Sequence, residues 1–225
     1  MNSDDSGIIG SRKDRDKLIA RKQEWARSGR LLTGSEADPA CDRLPPGQRL
    51  VRDWPVLDLG VTPKPDLAAW RLAIDGAVEN AVTWTWQDFL AQPQTRLVSD
   101  IHCVTGWSRY DNGWEGVAAA HILALVRPLP EARHCVFHAR DGYTTNVRLD
   151  RFAEADVLLA RSWQGEPLAP AHGGPVRVVM PRRYFWKSAK WVRRIEIVAE
   201  DCPGYWEVRG YHNEADPWKE ERYGD

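Results

Sequence analysis

Short alternations of apolar and polar positions dominate the chain, and long helical stripes are few. Trp70-Arg71-Leu72-Ala73-Ile74 places apolar side chains at every second position, and Asp75-Gly76 follows with turn chemistry. Ala81-Val82-Thr83-Trp84 reads as the returning strand. Cys135–Ala139, Val176–Met180 and Arg194–Val198 are β-like in the same way. Thr85 stands three residues before Asp88, a capping-box spacing that opens a short helix through Leu90. Gly116–Val126 (GVAAAHILALV) predicts the best internal helix, ended by Pro128 and Pro130. Residues 11–28 predict a charged amphipathic helix with Leu18, Ile19 and Trp25 inward, an arm packed over the domain. Residues 29–50, rich in Gly, Pro and small polar residues, read as a lead-in loop. The organisation expected is therefore an arm and lead-in over 1–50 and one domain over 51–225, without linker or repeat. Many short strands with few short helices predict an α+β fold, mostly β, built on mixed sheet. The absence of βαβ alternation and of GxGxxG argues against a dinucleotide-binding fold.

Composition narrows the function. The 225 residues carry 31 Lys and Arg against 32 Asp and Glu, a formal net charge of −1. That balance does not suit a protein built to coat nucleic acid or an anionic membrane. No stretch approaches the ~18 apolar residues of a membrane span. The N-terminal MNSDDSGIIGSRKDRDK has no apolar core segment, so the expected location is the cytoplasm. Cysteines 41, 103, 135 and 202 form no CxxC pair and are expected as free thiols. Twelve Trp against four Phe suggest aromatic walls with polar N–H handles.

Three stretches carry candidate chemistry. In Asp100-Ile101-His102-Cys103-Val104-Thr105-Gly106-Trp107-Ser108, a cysteine ends a β-like run beside a glycine, where it suits a metal thiolate, a nucleophile or buried filler. In His172-Gly173-Gly174-Pro175-Val176-Arg177, two glycines admit close approach of backbone, and Arg177 offers a planar fork for phosphate or carboxylate. In Tyr184-Phe185-Trp186-Lys187-Ser188-Ala189-Lys190-Trp191, Ser188 and Lys190 share a face if the segment is extended, forming an anion cradle.

In their order and separations these stretches resemble the molybdopterin-binding domain of the sulfite oxidase family. Asp141-Gly142-Tyr143-Thr144-Thr145-Asn146 and the ending Gly204-Tyr205-Trp206-Glu207…Gly210-Tyr211-His212 resemble its small bacterial members, and the resemblance covers roughly residues 50–223. It implies a mostly β, α+β fold and a molybdenum cofactor on one pyranopterin dithiolene. It implies that Cys103 is the thiolate ligand to molybdenum, a soft donor suited to that centre. His172 and Arg177 are then the contacts to the pterin and its phosphate, Ser188 and Lys190 are further contacts with Lys190 also near the pterin tail, and His102 and Ala189 are further cofactor-binding candidates. Val51-Arg52-Asp53-Trp54 loosely resembles another pterin contact of the family, which makes Arg52 and Trp54 candidates. Arg52, Arg109 and Tyr143 are the candidates for the substrate pocket. Animal members follow their cysteine with consecutive arginines, whereas Val104–Ser108 intervenes here before Arg109. Periplasmic members that reduce methionine sulfoxide share the Cys-Val-x-x-Trp-Ser form. The implied activity is two-electron oxygen-atom transfer on a small oxyanion or a sulfoxide-type substrate, with an unidentified electron-transfer partner.

Two other classes remain open on the residues. A zinc protein would draw ligands from His102, Cys103, His134, Cys135 and His138, although neighbours in a strand diverge. A non-catalytic binding module would use the tryptophans as a ligand face.

Overall fold

The computed structural model describes residues 12–28 and 43–224. Cys41 and most of the expected lead-in loop lie outside the described residues. The elements in chain order are α1 (Arg12–Ser28), β1 (Arg49–Leu50), β2 (Arg71–Gly76), β3 (Val82–Thr85), α2 (Trp86–Ala91), β4 (Gln94–Cys103) and β5 (Trp107–Ala118). There follow α3 (Ala119–Val126), β6 (His134–Ala139), β7 (Thr144–Arg148), α4 (Leu149–Phe152), β8 (Leu158–Trp163), β9 (Glu166–Pro167), β10 (Arg177–Val179) and β11 (Val192–Val198).

The strands form two mixed sheets, as an α+β fold dominated by strand requires. One runs β1-β5-β8-β10, with β4 on β5 and β9 on β8; the other runs β3-β2-β11-β6-β7. The β1/β5 and β2/β11 pairs are parallel and the others antiparallel. Alternation sets the inner faces: Leu72 and Ile74 of β2 and Ile195 and Ile197 of β11 are buried, and they join Val117, Leu159 and Val178 of the other sheet in one core. Each such side chain contributes about 1.5–3 kcal/mol of burial.

The capping box forms as expected. The Asp88 N–H donates to Thr85 Oγ1 (3.2 Å) and the Thr85 N–H to Asp88 Oδ2 (2.9 Å), opening α2 and aiming Phe89 into the core. The helix expected from Gly116 begins later. Gly116, Val117 and Ala118 pair with Ala160, Leu159 and Leu158, so they end β5, and the helix starts at Ala119. Gly116 is where the β5/β8 register shifts, and a Cβ there would lie 1.9 Å from Leu159 O and 2.7 Å from Ala160 Cα. Gly116→Ala is expected to cost about 1–3 kcal/mol by forcing the strands apart, measured as a lowered urea midpoint.

The inward face of α1 also differs from the expected one. Ile19, Lys22 and Ala26 are buried, whereas Leu18 and Trp25 are half-buried. The helix is tied to the C-terminal segment: Gln23 Nε2 donates to Arg209 O (3.2 Å) and the Tyr223 hydroxyl donates to Gln23 O (3.1 Å). A lysine on the buried face of a helix has to find a polar space, and it finds one in the cleft described next.

Candidate active site

Cys103 sits where β4 turns into β5. The antiparallel pair closes at Cys103 opposite Trp107, and Gly106 takes the left-handed conformation (φ 91°) needed for the turn. Gly106 N–H donates to Cys103 O (3.0 Å), and Gln48 Nε2 donates to the same oxygen (3.2 Å), so the backbone under the thiol is pinned from two sides. Thr105 Oγ1 lies 3.1 Å from Sγ. Burial pushes the Cys103 thiol up, while the Thr105 hydrogen bonds, Arg222 and Lys22 pull against it.

The same cleft carries a cationic lining. Arg177 begins β10 and is 1% exposed. Its guanidinium donates only to neutral carbonyls: Nη1 to His172 O and Nη2 to Ser188 O (both 2.8 Å), Nε to Val178 O (3.3 Å). It lies 4.1 Å from the Phe185 ring centroid and 5.3 Å from that of Trp54. Buried without a carboxylate, its pKa falls to about 9. Lys190 Nζ donates to Ala171 O (2.7 Å); burial, followed by the charge of Arg177, brings its pKa down to about 7. Gly173 (φ 102°) makes this approach possible, because a Cβ there would meet Lys190 Cα at 3.0 Å. The His172 ring stacks on Trp54 (3.9 Å, 11°), and burial ahead of the nearby cations lowers its pKa to about 4, so it is neutral at physiological pH. Ser188 follows a 3₁₀ turn over Phe185–Lys187, and its Oγ accepts from Met180 N–H (3.0 Å).

These parts face one cleft, whose enclosed space comes to about 130 Å³ and opens to solvent at its mouth. Of the residues singled out in the sequence, Cys103, Tyr143, His172, Arg177, Ser188, Ala189 and Lys190 line it together, as does Trp54. The Tyr143 hydroxyl donates to Trp186 O (2.6 Å), and burial raises its pKa well above the ordinary value, so it stays protonated. Arg52, Arg109 and His102 do not line the cleft. Arg52 is exposed. Arg109 Nε donates to Arg52 O (3.0 Å), its Nη1 to Asn112 Oδ1, and its guanidinium lies 4.7 Å from the Trp163 ring centroid. His102 alternates with Cys103 along β4 and points to Ser108 Oγ (2.8 Å).

Lys22 of α1 also lines the cleft, as do Asp58, Asp141 and Trp107. Lys22 was missed because its signal is a position on a helix face far upstream. Trp107 was visible only as part of the cysteine stretch. The zinc set is not assembled: no group of three or more His, Cys, Asp or Glu suited to a metal occurs among the described residues, and His138 Nε2 pairs with Glu196 (2.9 Å).

Comparison with known proteins places this cleft in a family. Residues 59–206 match the oxidoreductase molybdopterin binding domain. The chain is 44% identical to the uncharacterized oxidoreductase YuiH of Bacillus subtilis (strain 168) over 182 residues, 80% of this chain and 92% of that protein. It is 27% identical over 169 residues to the catalytic subunit of the protein-methionine-sulfoxide reductase MsrP of Ralstonia nicotianae, covering 66% of this chain and 51% of that one. The sulfane dehydrogenase SoxCD of Paracoccus pantotrophus has the same fold: TM-score 0.59, 22% identity, 70% of this chain and 46% of the other. The chain thus spans most of the Bacillus protein but about half of the other two. It belongs to the oxidoreductase molybdopterin-binding domain family and has the fold of its sulfite oxidase-like members. It is an oxidoreductase, and its cofactor is molybdenum held by molybdopterin.

The residues present fit that group. The cleft offers a soft sulfur donor together with a buried guanidinium that has no carboxylate partner and an ammonium that donates to a backbone carbonyl. Trp107 Nε1 is buried in its wall with no hydrogen-bond partner, a donor that a polar ligand would satisfy.

Proposed function

We propose that Cys103 is the protein's ligand to molybdenum and that Arg177, Lys190, His172 and Ser188 hold the pterin and its phosphate, with Ala189 and Trp54 closing the wall. When bound, the centre supplies two-electron chemistry with transfer of an oxygen atom to or from a small oxyanion or sulfoxide-type substrate. The observation that carries this reading is the convergence of the Cys103 thiol with a buried, carboxylate-free guanidinium on one aromatic-walled cleft. The chain's own part is orientation, charge and exclusion of water. The carbonyls of His172 and Ser188 fix the Arg177 fork before any ligand arrives, so little entropy is lost on binding a phosphate. Neutral His172, stacked on Trp54, offers a ring N–H without adding to the positive charge. The hydroxyl proton of Tyr143 is engaged with Trp186 O, so this residue offers a ligand its oxygen lone pairs and ring. The name of the Ralstonia relative supports a sulfoxide-type substrate. The electrons come from or go to an external carrier.

Metal and pterin analysis of protein produced with ample molybdate tests the reading. Stoichiometric molybdenum and a releasable pterin are expected. Protein with zinc instead, or with neither metal nor pterin, would favour a zinc protein or a binding module and end the proposal.

A further inference from the structure

Lys22 lines the cleft from well outside the family match, which begins at residue 59. It lies on α1, 8% exposed, between the buried Ile19 and Ala26, on a helix fastened at Gln23 to Arg209 and Tyr223. The fastening holds the helix in place, and the Lys22 side chain lines the cleft together with Cys103. Two carboxylates of the cleft, Asp58 and Asp141, act on it electrostatically. Each has a local partner: Asp58 Oδ1 accepts from Gly60 N–H (2.8 Å) and Asp141 Oδ1 from Tyr143 N–H (3.0 Å). Neither reaches Lys22 at salt-bridge distance, and among the described residues the ammonium has no hydrogen-bond partner. Lys190 feels the charge of Lys22 and of the same two carboxylates, but its ammonium, like the Arg177 guanidinium, donates to backbone carbonyls, and of the cleft's cations Lys22 is the one that acts on the Cys103 thiol; Arg52 and Arg109 lie outside. Arg222, the other cation felt by the thiol, donates to the Val104 and Gly47 carbonyls and does not line the cleft.

We infer that Lys22, carried over the cleft by the N-terminal helix, is the substrate-facing cation at the Cys103 end, and that the substrate it receives is a small oxyanion. This rests on the reading of Cys103 as the metal's ligand. Burial lowers the Lys22 pKa to about 8, with Asp58, Cys103 and Asp141 opposing the shift. At neutral pH the ammonium is charged and poorly solvated, and an anion relieves both conditions. A neutral donor would suffice for a sulfoxide oxygen; a desolvated ammonium selects for charge.

Sulfate serves as the probe, titrated into purified holoprotein and followed by fluorescence of the cleft tryptophans, with molybdenum and pterin measured on the same samples. Lys22→Met is expected to weaken sulfate binding about tenfold, the scale of one lost charge-assisted hydrogen bond, at unchanged molybdenum and pterin content. Lys22→Arg is expected to keep binding within a few-fold. Methionine fills the same volume without a buried charge, so the fold is expected to hold. Sulfate binding in Lys22→Met equal to wild type, or no sulfate binding by wild type, overturns the inference. Molybdenum or pterin content falling in step with sulfate affinity also overturns it, by making Lys22 a cofactor contact. Wild-type protein without molybdenum and pterin defeats the functional reading itself, and the metal assay separates that failure from the others.

Discussion

Cys103→Ser is expected to leave the fold and much of the bound pterin in place while removing turnover and the part of the sulfur-to-metal absorption that the cysteine sulfur contributes. The substitution exchanges one small atom on a side chain that is 6% exposed, at a turn fixed by Gln48 and Gly106 through the residue-103 carbonyl, and those backbone bonds remain. The contacts proposed for the cofactor's tail lie on Arg177 and Lys190, which the substitution does not touch. The loss therefore falls on the metal. A hydroxyl is a harder and far less acidic donor than a thiol, and it does not replace the thiolate. Since groups that only support a metal ligand cost about 10–100-fold when removed, loss of the ligand itself is expected to exceed that range. Cys135→Ala is the control: Cys135 is buried in β6 away from the cleft, and burial keeps its thiol protonated. That variant is expected to lose some stability and keep the spectrum. A Cys103→Ser protein with the wild-type spectrum and turnover would remove Cys103 from the metal.

What was legible in the chain, and what was not, follows from the range of the interactions involved. β2 and β11 announce themselves by alternation because one face of each is core. The Thr85–Asp88 cap is three residues wide and needs no tertiary context. Gly116-Val117-Ala118 is an apolar run that fits either period, and only the pairing with β8 decides it. A cysteine beside a glycine turn, a Gly-Gly before an arginine and a Ser-x-Lys are local chemical groupings, each a weak signal alone, and it was the resemblance of their order and separations to the sulfite oxidase family that joined them into one site. Arg109 was expected near Cys103 from proximity in sequence. In β5 it lies two residues beyond Trp107, a further ~6.8 Å along the strand, and it is fixed outside by Arg52 O, Asn112 and the Trp163 ring. Lys22 was illegible for the opposite reason. Nothing near it in sequence marks it, and its place depends on the docking of a whole helix.

Lys187→Met is expected to be the most destabilising single change beside the cleft. The Lys187 ammonium lies 2.7 Å from Glu207 Oε1, and the two side chains are 0% and 2% exposed. The same oxygen accepts from Thr145 Oγ1 (2.9 Å) and Trp186 Nε1 (3.0 Å), and Lys187 Nζ also donates to Asn146 O (2.8 Å). Glu207 Oε2 is buried without a partner, so the lysine is the only opposite charge at contact distance from this carboxylate among the described residues. Removing it leaves an uncompensated buried carboxylate, at a cost of about 3–5 kcal/mol. For a chain of this length that corresponds to a melting temperature lower by about 6–20 °C. Trp186 joins this network to the cleft, since its carbonyl takes the Tyr143 hydroxyl proton and its indole N–H goes to Glu207. Cofactor retention is therefore expected to fall along with stability. The double variant Lys187→Met with Glu207→Gln separates charge from packing. The amide keeps an acceptor oxygen for Thr145 and Trp186 and removes the unpaired charge, so it is expected to recover more than half of the lost melting temperature. If the double variant melts as low as Lys187→Met alone, the loss comes from packing around the lysine stem and not from a stranded carboxylate.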